Sequence, residues 1–413
     1  MLLIYLVVWD WEKLLQGKIR KKILVVTGTR AEYGLFKNFL HEVCEDDDLI
    51  LQLVVSCMHL SSEFGLTYRL IEQDGFKIDA KVEMLLSSDT GVGVAKSVGV
   101  GVLGFADAFD RLKPDIIVLL GDRFEILAAA QAALFLKIPI AHIHGGELSA
   151  GAIDDNIRHC ITKMAHLHFT AAEPYRNRVI QMGERPDFVF NTGSPGIERI
   201  RKWNCLSRQT LEKDLNFAFG QPTFLITYHP ETLDINGVNT DCTELLAALD
   251  AFPNATLLFT EANADEGGKL INQLIDEYAN LRADHTHIFT TMGDENYISV
   301  MRCVDVLIGN SSSAIIEAPA IPKASVNIGK RQDGRLRADS IIDCGSDRHE
   351  ISTAIQKALS PGFQNIVKNT VSPYDHGDSA KNIKNAIKKI DLRKLPRKIF
   401  YDIPLSVEAV NEQ

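Results

Sequence analysis

From residue 22 onward, short apolar runs alternate with stretches of helical period, and the series occurs twice. The first series has runs at 23–26, 50–55, 115–120, 138–143, 167–170 and 188–191, with amphipathic stretches such as 124–136 and 153–165 between them. The second has runs at 224–228, 256–260, 287–290, 304–308 and 324–328, with helices of similar length between. Parallel strands can be joined only by a crossover, and strands covered on both faces by crossover helices become continuously apolar. The pattern therefore predicts two doubly wound α/β domains with parallel sheets. We place the first at 21–203 and the second at 204–376, with the seam at 201–209, after the turn Gly193-Ser194-Pro195-Gly196. A helical pattern resumes at 379–390, and the segment 377–392 is expected to pack back on the first domain. Residues 1–20 read as an N-terminal extension and 393–413 as a tail.

At 413 residues the chain is long enough for a core in each domain. A net charge of −10 argues against nucleic acid and an anionic membrane as partners, since either needs a contiguous basic face. The cysteines at 44, 57, 160, 205, 242, 303 and 344 are odd in number and lack a Cys-x-x-Cys spacing, which predicts reduced thiols in a cytoplasm and no structural zinc. The pair His142 and His144 would face one side of a strand, but alternating histidines entering Gly145-Gly146 read as a shaped loop rather than a metal site. No metal is expected. The apolar opening at 1–9 is too short to span a bilayer and lacks the basic flank of a signal peptide.

Polar clusters follow the predicted strands, at the carboxyl ends where open α/β sheets bind ligands. They are Thr27-Gly28-Thr29-Arg30, Gly121-Asp122-Arg123, His144-Gly145-Gly146-Glu147, His229-Pro230-Glu231-Thr232 and Asn310-Ser311-Ser312. In the last, the run 304–308 ends in Gly309-Asn310-Ser311-Ser312-Ser313 and restarts as the helical pattern Ala314-Ile315-Ile316-Glu317-Ala318. Hydroxyls and backbone N–H groups at a helix start are an anion site, fit for a diphosphate. Neither half carries Gly-x-Gly-x-x-Gly after its first strand, and Gly-x-x-x-x-Gly-Lys-Ser/Thr is missing, so neither NAD nor an ATPase site is expected. Two Rossmann-like halves with an inter-domain cleft, an anion site in the second and carboxylates in the first describe a nucleotide-sugar enzyme of the GT-B type.

The motifs Thr-Arg-Ala-Glu-Tyr-Gly (29–34), His-Gly-Gly-Glu (144–147), Ala-Ile-Asp-Asp-Asn-Ile-Arg-His-x-Ile-Thr-Lys (152–163), Tyr-His-Pro-Glu-Thr (228–232) and Gly-Asn-Ser-Ser (309–312) resemble those of the hydrolysing UDP-N-acetylglucosamine 2-epimerases of sialic-acid biosynthesis. The likeness runs in order over about residues 22 to 392. Non-hydrolysing epimerases carry Gly-Thr-Arg-Pro-Glu and Glu-Ala-Gly-Leu-Arg where this chain has Gly-Thr-Arg-Ala-Glu and His-Gly-Gly-Glu-Leu. The resemblance implies UDP release from a UDP-2-acetamido sugar, inversion at C2 and hydrolysis at C1, with no cofactor. The first substrate reading is UDP-N-acetylglucosamine, giving N-acetylmannosamine. The alternative is UDP-N,N'-diacetylbacillosamine, giving 2,4-diacetamido-2,4,6-trideoxymannose. UDP and a UDP sugar are then the partners, and a homo-oligomer, dimer or tetramer, is expected.

The chemistry sets two tasks. The C2 hydrogen is not α to a carbonyl, but as the C1–O bond to UDP stretches the ring gains oxocarbenium character and a carboxylate can take the C2 proton. The resulting glycal must then accept water at C1 and a proton on the opposite face of C2. By the resemblance, Arg30, Arg123, His229, Ser311, Ser312 and Arg331 serve the leaving diphosphate and nucleotide, Glu317 the ribose hydroxyls, and Asn263 the nucleotide. Arginine forks and amide-rich helix starts suit phosphate oxygens. On the sugar side Asp122 is the expected base, and Asp154, beside Asp155, the second acid. A third catalytic role falls to His144 or Glu147, and His229 also counts among the catalytic candidates. A retaining GT-B glycosyltransferase and a non-catalytic nucleotide-sugar sensor are the rival classes; the 152–163 motif speaks against the first and the cleft carboxylates against the second.

Overall fold

The computed structural model describes residues 20–86, 90–148, 153–230, 238–261, 268–290, 292–395 and 397–404. The described residues form two compact units, one drawn from 1–195 and 376–413, the other from 196–375.

In the first unit a seven-stranded parallel sheet has the order β3-β2-β1-β4-β5-β6-β7. Its strands are β1 (Lys21–Thr27), β2 (Leu49–Ser56), β3 (Ala80–Val82), β4 (Ile116–Leu120), β5 (Ile140–Ile143), β6 (Leu167–Thr170) and β7 (Val189–Asn191). Alternate side chains on a strand point to opposite faces, and both faces of β1 are buried. Ile23 and Val25 join Phe36, Phe39 and Leu40 of the Arg30–Cys44 helix and Ile383 and Ile387 of the Ser379–Lys389 helix. Leu24 and Val26 join Phe105 and Phe109 of the Gly91–Leu112 helix and Ile126 and Ala129 of the Phe124–Phe135 helix. The Ser379–Lys389 helix is tied down by Lys388 Nζ donating to Asp46 Oδ1 at 2.7 Å. Lys21 Nζ in turn reaches the carbonyls of Lys388 and Ile390, at 2.6 and 2.8 Å.

The Gly91–Leu112 helix is masked in the sequence by Gly-Val repeats of poor helix propensity. It forms because Gly93, Ser97, Gly101, Phe105 and Ala108, spaced by about one turn, bury one face. Among the described residues it is long and apolar enough to cross a membrane. Here it lies along the Phe124–Phe135 helix.

The second unit has a six-stranded parallel sheet of order β10-β9-β8-β11-β12-β13. The strands are β8 (Thr223–Thr227), β9 (Thr256–Thr260), β10 (Thr286–Phe289), β11 (Val306–Gly309), β12 (Ala324–Ile328) and β13 (Ile341–Cys344). One core packs Phe224, Ile226, Leu257, Phe259 and Ile308 against Leu245 and Leu249 of the Val238–Leu249 helix and Ile351 and Ile355 of the Arg348–Leu359 helix. The Pro195–Lys202 helix, set before the seam in the sequence reading, lies almost wholly in this unit. Arg302 Nη2 donates to Ile200 O at 3.0 Å, and Ser299 Oγ accepts from Leu206 N at 3.1 Å, which ties it to the Gly293–Cys303 helix.

Candidate active site

Each sheet reverses its winding once. β1 stands between β2 and β4, and β8 between β9 and β11, so the chain runs outward from the first strand and then returns to its other side. The space beyond the carboxyl ends at such a reversal is where open α/β sheets bind ligands. In the first unit it is bordered by Gly28 to Arg30 and Gly121 to Arg123; in the second, by Tyr228 and His229 and by Gly309 to Ser312.

After β1 the chain enters the Arg30–Cys44 helix through a capping box. Thr29 Oγ1 accepts from Glu32 N at 3.2 Å, and Glu32 Oε2 accepts from Gly28 N at 2.8 Å and Thr29 N at 3.2 Å. The amides that would face a phosphate in a dinucleotide turn are thus occupied by a side chain of the same chain. Arg30, the first helical residue, is exposed. After β4, Arg123 turns its Nε onto Glu125 Oε1 at 2.6 Å. Glu125 and Glu32 are both buried, and Glu32 Oε1 and Glu125 Oε2 have no hydrogen-bond partner among the described residues. Burial, then the neighbouring Glu125 charge, pushes the Glu32 carboxyl up to about 8.

Asp122 is half-buried and ion-paired with Arg158 Nη2 from the Ile153–Met164 helix. Arg158 carried no role in the sequence reading; its signal is a cation one turn after Asp154 on an otherwise amphipathic helix. Asp154 and Asp155 lie in the first turn of this helix, which starts at Ile153. Asp155 Oδ2 lies 3.5 Å from His159 Nε2, a partner one turn along.

His142 and His144 do not share a face. His142 is buried, with Nε2 2.8 Å from Gly121 O and Nδ1 3.1 Å from Thr162 Oγ1. It joins the loop after β4 to the Ile153–Met164 helix, and burial pushes its imidazole down to about 3. His144 lies past β5 with φ of +66°, the left-handed region that few non-glycine residues adopt. Its Nδ1 is 2.5 Å from Glu147 Oε1 and its Nε2 is 3.4 Å from Ser194 Oγ. A carboxylate can only accept, so Nδ1 carries the proton and Nε2 of the neutral ring is the acceptor. Gly146, with φ of +79°, keeps this loop close to the Glu173–Gln181 helix, since a Cβ there would stand 2.4 Å from Tyr175 O. Ser194 is buried in the turn before the Pro195–Lys202 helix, and its sequence signal is that of a turn residue alone.

In the second unit, β11 ends at Gly309, where φ is +132° and a Cβ would stand 1.9 Å from Thr227 O. Only glycine admits that approach of β11 to β8. Asn310 follows, fully buried. Its Oδ1 accepts from His229 N and its Nδ2 donates to His229 O, both at 2.8 Å. This two-way amide pair holds the backbone at His229. The carbonyl of Asn310 accepts from Arg331 Nη1 at 3.1 Å and Gln332 Nε2 at 2.8 Å. One residue therefore links three segments that the sequence keeps far apart.

Ser311 caps the next helix, its side chain accepting from Ser313 N at 3.4 Å. That helix is Ser312–Ile316, a single turn that ends two residues before the pattern 314–318 does, because Pro319 cannot continue it and disfavours helix at Ala318. A turn this short supplies amides and hydroxyls rather than a macrodipole. Glu317 is its C-cap, so its place owes nothing to first-turn charge. Its Oε2 accepts from Ser313 Oγ, which also accepts from Tyr297 OH at 3.0 Å. Asn263, Glu231 and Thr232 lie outside the described residues.

Two doubly wound parallel-sheet units, each with its polar residues at the reversal of strand order, define a protein of the GT-B class. The profile of the family described as UDP-N-acetylglucosamine 2-epimerase matches residues 41–388, and the chain belongs to that family and is an enzyme. It is 43% identical to the GDP/UDP-N,N'-diacetylbacillosamine 2-epimerase (hydrolyzing) of Campylobacter jejuni, over 93% of this chain and 100% of the relative. With the UDP-N,N'-diacetylbacillosamine 2-epimerase (hydrolyzing) of Legionella pneumophila it shares 36% identity, over 82% of this chain and 89% of that one. Among solved structures, the UDP-GlcNAc 2-epimerase of Neisseria meningitidis bound to UDP-GlcNAc has a similar fold, with a TM-score of 0.72 at 18% identity over 89% of this chain and 100% of the other.

Proposed function

We propose that this chain is a hydrolysing UDP-N,N'-diacetylbacillosamine 2-epimerase, which releases UDP and forms 2,4-diacetamido-2,4,6-trideoxymannose. The observation that carries this reading is the 43% identity to the Campylobacter enzyme over that enzyme's whole length. It moves the preference from UDP-N-acetylglucosamine, the first reading of the sequence, to the diacetamido sugar. UDP leaves C1 as Asp122 takes the C2 proton, and water adds to the glycal at C1 as Asp154 returns a proton to the other face of C2. Arg158 fixes the orientation of the Asp122 carboxylate. His144, aligned by Glu147 and Ser194, serves the hydration step through Nε2. Arg30, Arg123, Ser311, Ser312, Arg331 and His229 receive the departing diphosphate, with Glu317 on the ribose and Asn263 at the nucleotide. The UDP sugar is the partner, and the cytoplasm the compartment.

The test is to incubate the purified protein in D₂O with each UDP sugar and no acceptor, and to follow products by NMR. UDP release should be at least tenfold faster with UDP-N,N'-diacetylbacillosamine, and the free sugar should have the manno configuration with deuterium at C2. Faster turnover of UDP-N-acetylglucosamine would overturn the substrate. Retention of hydrogen at C2 would overturn the mechanism.

A further inference from the structure

The first unit holds a second cluster of charge that the proposed reaction does not use. After the Ser379–Lys389 helix the chain returns over the Ile153–Met164 helix and β6 as a strap. Lys398 Nζ donates to Lys163 O at 2.6 Å and Ala165 O at 2.7 Å, at the carboxyl end of the Ile153–Met164 helix. Tyr401 N donates to Gly183 O at 2.9 Å, and Phe400 lies over Gly183, where a Cβ would meet the ring at 2.3 Å. Lys163 Nζ sits 4.9 Å from the centre of that ring.

Beneath the strap is a cavity of about 240 Å³ whose lining includes His166, Arg185, Lys394, Arg397 and Lys398. Its carboxylate, Glu184, is already bound by His168 Nε2 at 3.0 Å, Lys163 Nζ at 2.6 Å and Lys398 Nζ at 2.7 Å. Arg185 reaches Asp187 at 2.8 Å, and Lys394 stands 4.0 Å from Asp391. Arg397 makes no hydrogen bond or ion pair with a described residue. His166 Nδ1 accepts from Ile140 N at 3.2 Å, which leaves its proton on Nε2 of a ring that lines the cavity. Cations thus outnumber the neutralised carboxylate in this one place, on a chain of net charge −10.

We propose that this strap cavity is a binding site for a phosphate group, separate from the candidate active site. An arginine fork, an ammonium and an imidazole N–H from different segments suit an anion with several oxygens better than a carboxylate. Leu395 and Ile399 supply an apolar wall against which the rest of a phosphorylated molecule can lie.

Calorimetry on the full-length protein at fixed ionic strength tests it, with inorganic phosphate in one arm and glucose 6-phosphate in the other. Saturable binding in at least one arm is expected, weakened fivefold or more by Arg397→Ala and by Lys394→Ala and unchanged by Arg331→Ala. The arm with the tighter binding tells the free ion from a phosphate monoester. Circular dichroism of the two strap variants, both altered at exposed residues, should match wild type. Absence of saturable heat, binding indifferent to both strap variants, or binding lost in Arg331→Ala would overturn the proposal. Because the strap variants report on this cavity alone, the outcome does not depend on whether the enzyme turns over UDP-N,N'-diacetylbacillosamine.

Discussion

Replacing Asn310 by alanine tests the joint between β8 and β11. The side chain is fully buried and spends both polar atoms on the backbone of His229, at 2.8 Å each. Alanine removes both bonds to buried backbone groups, at about 1–3 kcal/mol each, so the loss should be about 2–6 kcal/mol. The bonds from Arg331 and Gln332 end on the main-chain carbonyl and survive the change. Trp203 lies in the second unit, and the other tryptophans, Trp9 and Trp11, lie in the N-terminal extension. With both of these replaced by Phe, Trp203 fluorescence reports urea unfolding of the second unit. With a slope of about 2 kcal/mol/M, the middle of the usual range, the midpoint should fall by about 1–3 M. UDP affinity should fall as well, because His229 is no longer held. A midpoint shift below about 0.3 M, where the slope leaves less than about 1 kcal/mol, would refute the role assigned to the amide pair.

Glu32 titrates near 8 in the fold, above its ordinary 4.5. The native state therefore binds this proton more tightly than the unfolded chain, and its stability should decline as pH rises from about 4.5 to about 8. Glu32→Gln, which keeps an oxygen for the Gly28 amide, should flatten that decline in melting temperatures; an unchanged slope would show that another group causes it. Asp122→Asn should lower kcat by at least about 100-fold, the usual scale of a general base, with UDP affinity kept within a few-fold; residual turnover above a tenth of wild type would make the residue structural. Arg331→Ala should weaken UDP by about 1.5–3 kcal/mol, the scale of a charged hydrogen bond. Calorimetry showing equal UDP affinity would remove Arg331 from the nucleotide side.

Strands buried on both faces were legible as short, mainly apolar runs set between helical stretches: β6, β9 and β12 have the bounds of the runs at 167–170, 256–260 and 324–328. The edge strands β3 and β13 were not, being three and four residues long with an exposed residue in each. In the candidate site, Asp122, His144, Ser311 and Glu317 stood out by position after a strand. The supporting roles of Arg158, Ser194 and Asn310 did not, since they act through partners at sequence separations of 36, 50 and 81. Nothing in local periodicity encodes such a contact.

What the sequence determines alone is the winding. Alternating strand and helix periods admit only right-handed crossovers and parallel sheets, and the polar breaks after each run place the chemistry at one end of each sheet. Tertiary structure decides which breaks become neighbours. The reversal of strand order brings the β1 loop beside the β4 loop, and the β8 loop beside the β11 loop. It also decides what each polar group is used for. Glu32 fills the amides of its own turn, His142 becomes a buried strut, and His144 is turned by a positive φ onto Glu147 and Ser194. Those uses depend on burial and on distances of a few ångströms between segments far apart in the chain, which residue spacing does not specify.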